Sequence, residues 1–142
     1  MLRFIAVLVT IAPLLAAPTL AADISDADHG AIDAIIAAQI SAFGKDDGAA
    51  AYGYASPTIQ HIYPSADAFM NMVRKGYPQV YRPQRYNFTR VETDVPERPA
   101  QHVIIVGPDG KTYEAIYSMQ RQPDGSWKIN GCSIAELQGA NA

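Results

Sequence analysis

Apolar residues recur at helical spacing over residues 26–43. Ile32, Ile35, Ile36, Ile40 and Phe43 fall on one stripe of a 3.6-residue period, which predicts an amphipathic helix. Ser25 or Asp26 suits its cap, the acids of its first turn suit its dipole, and Gly44 marks its stop. A short second helix is predicted from Asp46 or Asp47 through Tyr52, with both aspartates as capping residues. A further turn follows over Thr58–Ile62, with Pro57 at a first helical position behind Ser56. Ser65 then opens a fourth helix, Ala66–Lys75, with Phe69, Met72 and Val73 inward. Arg74 and Lys75 lie in its last turn, Gly76 follows, and Pro78 bars its continuation.

Beyond Pro78 the pattern becomes extended. Tyrosines and arginines alternate loosely from Val80 to Val91, a predicted strand in which Pro83 implies an edge or a bulge. Gln101–Val106 is a compact β-branched run. Thr112–Arg121 alternates strictly, with Tyr113, Ala115, Tyr117 and Met119 on one face and Glu114, Ile116, Ser118 and Gln120 on the other. Ser126–Ile134 is the last predicted strand, carrying Trp127 and Ile129 on one face. Pro108-Asp109-Gly110 and Pro123-Asp124-Gly125 have the chemistry of hairpin turns, and Thr93–Pro99 reads as a polar loop. Helices first and antiparallel strands afterwards predict an α+β fold. N-terminal helices would pack on a curved sheet of about four strands, with a cavity between the layers.

The segment before the first helix has a different character. Arg3 precedes the apolar run Phe4–Ala17, which Pro13 interrupts, and small residues crowd Ala16–Ala22. This is the pattern of a cleavable signal peptide over residues 1–22, with cleavage after Ala21 or Ala22. The run is too short for the ~20 apolar residues of a membrane span. The expectation is a periplasmic or secreted product, residues 23–142, forming a single α+β domain with no membrane anchor after cleavage. Such a chain can bury a core without disulfides. It has a single cysteine, Cys132, expected as a buried, inert thiol.

The whole chain carries a formal net charge of −3, and loss of Arg3 makes the remainder one unit more acidic, which argues against nucleic acid as a partner. The distribution is uneven. Asp23, Asp26, Asp28, Asp33, Asp46 and Asp47 face only Lys45, whereas Ala68–Val91 holds Arg74, Lys75, Arg82, Arg85 and Arg90 and no acid.

The stretch from Ile40 through Lys45-Asp46-Asp47-Gly48-Ala49 to Tyr52 resembles the opening of nuclear transport factor 2-like proteins. Tyr54–Gln60, Phe69–Pro78, Val80-Tyr81-Arg82-Pro83 and Pro123–Cys132 together resemble the bacterial domain-of-unknown-function family 4864. That resemblance covers nearly all of the chain after the leader. It implies the cone-shaped fold of the nuclear transport factor 2-like superfamily, which is often dimeric. It implies no activity, because members of that superfamily include isomerases, dehydratases, cyclases and binding modules.

Six of the eight tyrosines lie between Tyr52 and Tyr86, interleaved with the basic residues of that region. Tyrosine offers a flat apolar body with a polar tip, and arginine a planar fork matched to carboxylate or phosphate. Tyr52, Gln60, Tyr63, Arg74, Tyr77, Tyr81 and Arg82 are therefore the expected lining of a pocket for a small anionic or amphipathic ligand. The competing reading makes Arg74 and Lys75 helix C-caps and the tyrosines loop packing.

Acid–base candidates are sparse: His61, His102, Asp46, Asp47 and Asp67. His61 and His102 read as ordinary exposed histidines, and Glu114 falls on the face opposite Tyr113 and Tyr117. His29, His61 and His102 lack ligand spacing, so no metal is expected, and no nucleotide or cofactor motif is present, so no cofactor is expected. Three readings remain: a binding module with a helix–sheet pocket, a pocket enzyme of isomerase or hydratase type, and a dimeric interaction module. A purely apolar cavity rimmed by arginines favours the first. An inward titratable group beside a tyrosine hydroxyl favours the second, and a filled interior the third.

Overall fold

The computed structural model describes Pro13 and residues 24–138, and the leader over residues 1–22 lies, save Pro13, outside the described residues. Five helices come first: α1 (Asp26–Gly44), α2 (Gly48–Gly53), α3 (Pro57–Ile62), α4 (Ala66–Gly76) and α5 (Pro78–Tyr81). Four strands follow: β1 (Arg85–Glu92), β2 (Ala100–Val106), β3 (Thr112–Arg121) and β4 (Trp127–Glu136). They form one antiparallel sheet in the order β1-β2-β3-β4, not closed into a barrel. The architecture is α+β, with the core between the helical layer and one sheet face. Ile32, Ile36, Ile40 and Phe43 of α1 meet Val103, Ile105, Ala115, Tyr117, Met119, Trp127 and Ile129 of the sheet there.

Helix α1 starts with a capping box, in which the Ser25 hydroxyl accepts from the Asp28 amide and the Asp28 carboxylate reaches back to Ser25. Asp28 also ties the helix to the sheet. Its Oδ1 accepts the Trp127 indole N–H at 3.1 Å and its Oδ2 an Arg121 guanidinium N–H at 3.0 Å. That guanidinium stacks over the Trp127 ring, 4.3 Å from its centroid. The Trp127 bond first, then those of Arg121 and Ser25, hold the Asp28 carboxyl down at about 2. Its contribution to stability is therefore present above pH ~4, where an unfolded aspartate is ionised, and is lost as pH falls through 2. Chemical denaturation midpoints should fall between pH 5 and pH 2, and Asp28→Asn should have a lower midpoint at pH 5 with a shallower decline. An equally steep decline in the variant would remove Asp28 as a source of acid sensitivity.

The end of α1 differs from expectation. Gly44 stays helical, and the left-handed residue is Asp46, φ 53°. Aspartate tolerates that region better than most residues. Asp46 therefore does not cap α2; Asp47 does, accepting from the Ala50 amide at 3.1 Å. The expected strand from Val80 is also corrected. Pro78 starts a single turn, α5, with Val80 and Tyr81 buried, and the strand begins at Arg85. Proline at a first helical position is as compatible with starting a helix as with ending one. Both hairpin turns form, with Gly110 and Gly125 at positive φ, 78° and 85°.

Between α2 and α3 the chain lies along β4. The Ser56 amide donates to the Ile129 carbonyl at 2.8 Å and the Ile129 amide to the Tyr54 carbonyl at 2.9 Å, forming a parallel bridge between Ala55 and Ile129. The fully buried Ser56 caps α3 and donates its hydroxyl to Asn130 Oδ1 at 2.7 Å. Beside this contact β4 carries a bulge: Ser118 pairs with Gly131 but Met119 with Ile129, so Asn130 is the extra residue.

Candidate functional site

A cavity of about 170 Å³ lies between sheet and helices, beside the β4 bulge. The Asn130 side chain is held by Ser56, and Gly131 pairs with Ser118, whose side chain points to the sheet face away from the helices. Tyr117, Ile129, Gly131 and Cys132 form its floor. Gln39 and Phe43 of α1, Phe69, Met72 and Val73 of α4, and Ala55, Ile59, Tyr63, Tyr77 and Val80 form its walls. An apolar cavity of ~150 Å³ is large enough to hold a single aromatic ring.

The polar groups on this surface are few. Gln39 is buried, and its amide N–H donates to the Ala51 carbonyl at 3.1 Å. Tyr117 is 1% exposed, and its hydroxyl has no hydrogen-bond partner among the described residues. A buried hydroxyl without a partner costs about 1–3 kcal/mol. Cys132, half-buried where a buried thiol was expected, is its directly paired neighbour on β4. Burial pushes the Cys132 thiol up to about 12, and burial followed by the adjoining Cys132 raises the Tyr117 phenol well above its ordinary value. Both groups hold their protons near neutrality. The thiol is consequently a poor nucleophile, and the pair is poorly suited to shuttle protons.

The seven residues expected to line the pocket separate into three groups. Tyr63 and Tyr77 do line the cavity; the other five are not among its lining residues. Tyr52 and Gln60 form a clasp within the helical layer. The Tyr52 hydroxyl donates to the Tyr63 and Gln60 carbonyls at 2.6 and 3.2 Å, and the Gln60 amide returns a bond to the Tyr52 carbonyl at 2.9 Å. Arg74, Tyr81 and Arg82 gather instead around Asp46. The Arg82 Nη2 donates to both oxygens of that carboxylate at 2.9 and 3.0 Å, its Nη1 donates to the Phe43 carbonyl, and the guanidinium stacks on the Tyr81 ring. The Tyr81 hydroxyl donates to Asp46, and Arg74 donates to Asn71 at 2.7 Å and to Tyr81 at 3.4 Å. Tyr81 first, then Arg82, holds the Asp46 carboxyl below its usual range. This network joins the end of α1 to α5, and the arginines expected at a ligand rim are engaged with protein groups.

Most of the lining escaped the sequence reading. Tyr117 was legible as an inward residue of an alternating strand, but its missing partner was not. His102 is not the exposed histidine that its place in the sequence predicts: it is 1% exposed. Its Nε2 lies 3.1 Å from Glu92 and its Nδ1 3.4 Å from Glu114, though neither ring nitrogen has an aligned hydrogen bond. The diagonal of β1, β2 and β3 side chains covers the ring on the sheet face away from the helices. His61 is exposed, and Asp67 lies in the first turn of α4. Among the described residues no cluster of three or more acidic, histidine or cysteine side chains is placed to hold a metal ion. Nor is any helix among them long and apolar enough to cross a membrane.

Helices set on one face of an open antiparallel sheet, with a partly open apolar cavity between, define a small α+β domain. The chain belongs to the family described as Domain of unknown function (DUF4864), whose model matches residues 25–142. No curated protein and no solved structure matches it.

Proposed function

We propose that this is an exported binding domain of the nuclear transport factor 2-like type that takes one small amphipathic molecule into the cavity between its helices and its sheet. The observation that carries this reading is the cavity of about 170 Å³ lined mainly by aromatic and aliphatic side chains. Helices packed on an open four-stranded sheet suit that superfamily, and the leader pattern of residues 1–22 supports export. The cavity is lined by no lysine, arginine, histidine or carboxylate side chain, so the amphipathic half of the expected ligand description is favoured over the anionic half. Tyr117 and Cys132 retain their protons near neutrality, which favours binding over acid–base catalysis.

Ethylbenzene is a suitable first probe, being one ring with a short tail. Titrated into the isotope-labelled protein, it should give saturable amide shifts concentrated at Phe69–Val73 and Ile129–Cys132. The absence of saturable shifts there would overturn the cavity reading. Intact-mass measurement of protein recovered from native cells tests export: loss of about 22 residues is expected, and a complete leader would refute it.

A further inference from the structure

Gln39 brings an open hydrogen-bond acceptor to the wall of the cavity. It lies on α1, is only 4% exposed, and is one of the residues that line the space. Its Nε2 donates to the Ala51 carbonyl of α2 at 3.1 Å. A carbonyl only accepts, so this bond fixes which end of the amide is nitrogen and which is oxygen. The Oε1 accepts no hydrogen bond from the described residues. Unlike the Tyr117 hydroxyl and the two His102 nitrogens, it is not one of the unpartnered atoms sealed from contact. For a residue so thoroughly covered and set in the cavity wall, the space onto which that oxygen opens is the cavity. An amide oxygen has two lone pairs and no proton, so its unmet demand is for a donor.

We infer that the cavity selects a neutral molecule of single-ring size that carries an O–H or N–H group where it meets α1 and donates it to Gln39 Oε1. This rests on the cavity reading above and adds the kind and position of the ligand's polar group. A protonated amine would also donate, but no carboxylate lines the cavity to offset its lost hydration. A ligand whose only polar atom is an acceptor would set lone pair against lone pair at this point. A hydrocarbon would fill the same space and leave the oxygen unmet. The Ala51 bond holds the amide before a ligand arrives, so little side-chain freedom is lost on binding.

The test compares phenol with toluene, which share a ring and differ by a hydroxyl in place of a methyl group. In the unmodified protein both should bind. The Gln39 side-chain carbonyl-carbon resonance should move with phenol, beyond the ring-current shift that both compounds share. Gln39→Met keeps the length of the side chain and removes the oxygen. It should weaken phenol by about tenfold and leave toluene within about twofold. If toluene binds, but phenol neither moves the Gln39 resonance further than toluene does nor loses affinity in the variant, the inference is overturned while the cavity reading stands. If neither compound binds the unmodified protein, both are overturned. The variant also gives up the Ala51 bond, and the resonance measurement does not depend on its folding.

Discussion

Trp127→Ala should lower the free energy of unfolding by about 3–5 kcal/mol, the range for truncating a large buried aromatic. Trp127 is 2% exposed and begins β4, where it packs within the core. Its loss is more than a void. The indole N–H is the bond that does most to hold the Asp28 carboxyl low, and its ring is the surface on which Arg121 lies. Removing it loosens the start of α1 from the β3–β4 hairpin at the same time as it empties the core. Against a typical total of about 5–15 kcal/mol, such a loss places the variant near the edge of folding at physiological temperature. Urea denaturation followed by circular dichroism measures it. Trp127→Phe should lose less, because a ring remains, but should share the raised Asp28 titration. A change below about 1 kcal/mol for the alanine variant would mean that the side chain is not a core element.

Val73→Phe should reduce ethylbenzene affinity by at least about a hundredfold, or roughly 2.7 kcal/mol, with little cost in stability. Val73 is 4% exposed and lies in the wall contributed by α4. The added ring has open volume before it, so the usual penalty for overpacking a dense interior should be small. Thermal melting gives the stability and amide titration the affinity. Unchanged affinity in a folded variant would place the probe elsewhere on the molecule. A strongly destabilised variant would show that the wall is already close-packed at this position.

The elements most legible in the chain were those with enough repeats of their period. The stripe from Ile32 to Phe43 spans several turns, and Tyr113–Met119 alternates without a break; both occur as expected. Helix α5 has only four residues, too few to show a period, and its valine and tyrosine are favoured in strands. Arginines and tyrosines crowd together in the chain over residues 74–82, away from most of the cavity lining. Proximity in sequence proved to mean mutual engagement: Arg74, Tyr81 and Arg82 satisfy one another and Asp46. The cavity instead draws residues from Gln39 to Cys132, and its β4 floor includes a bulge that interrupts the strand's alternation. An irregularity of that kind leaves no periodic mark. The burial of His102 was hidden for a related reason, since its cover comes from neighbouring strands whose register only the folded sheet defines.

The bridge between Ala55 and Ile129 has a consequence for how the domain meets other copies of itself. By occupying backbone groups along part of β4, it denies an incoming strand a continuous template on that margin. The opposite margin, β1, is interrupted by an irregular register after Phe88 and studded with Arg85, Arg90 and Glu92, all exposed. Neither border is a flat, uncharged ribbon. A sheet bounded in this way resists open-ended stacking into fibrils.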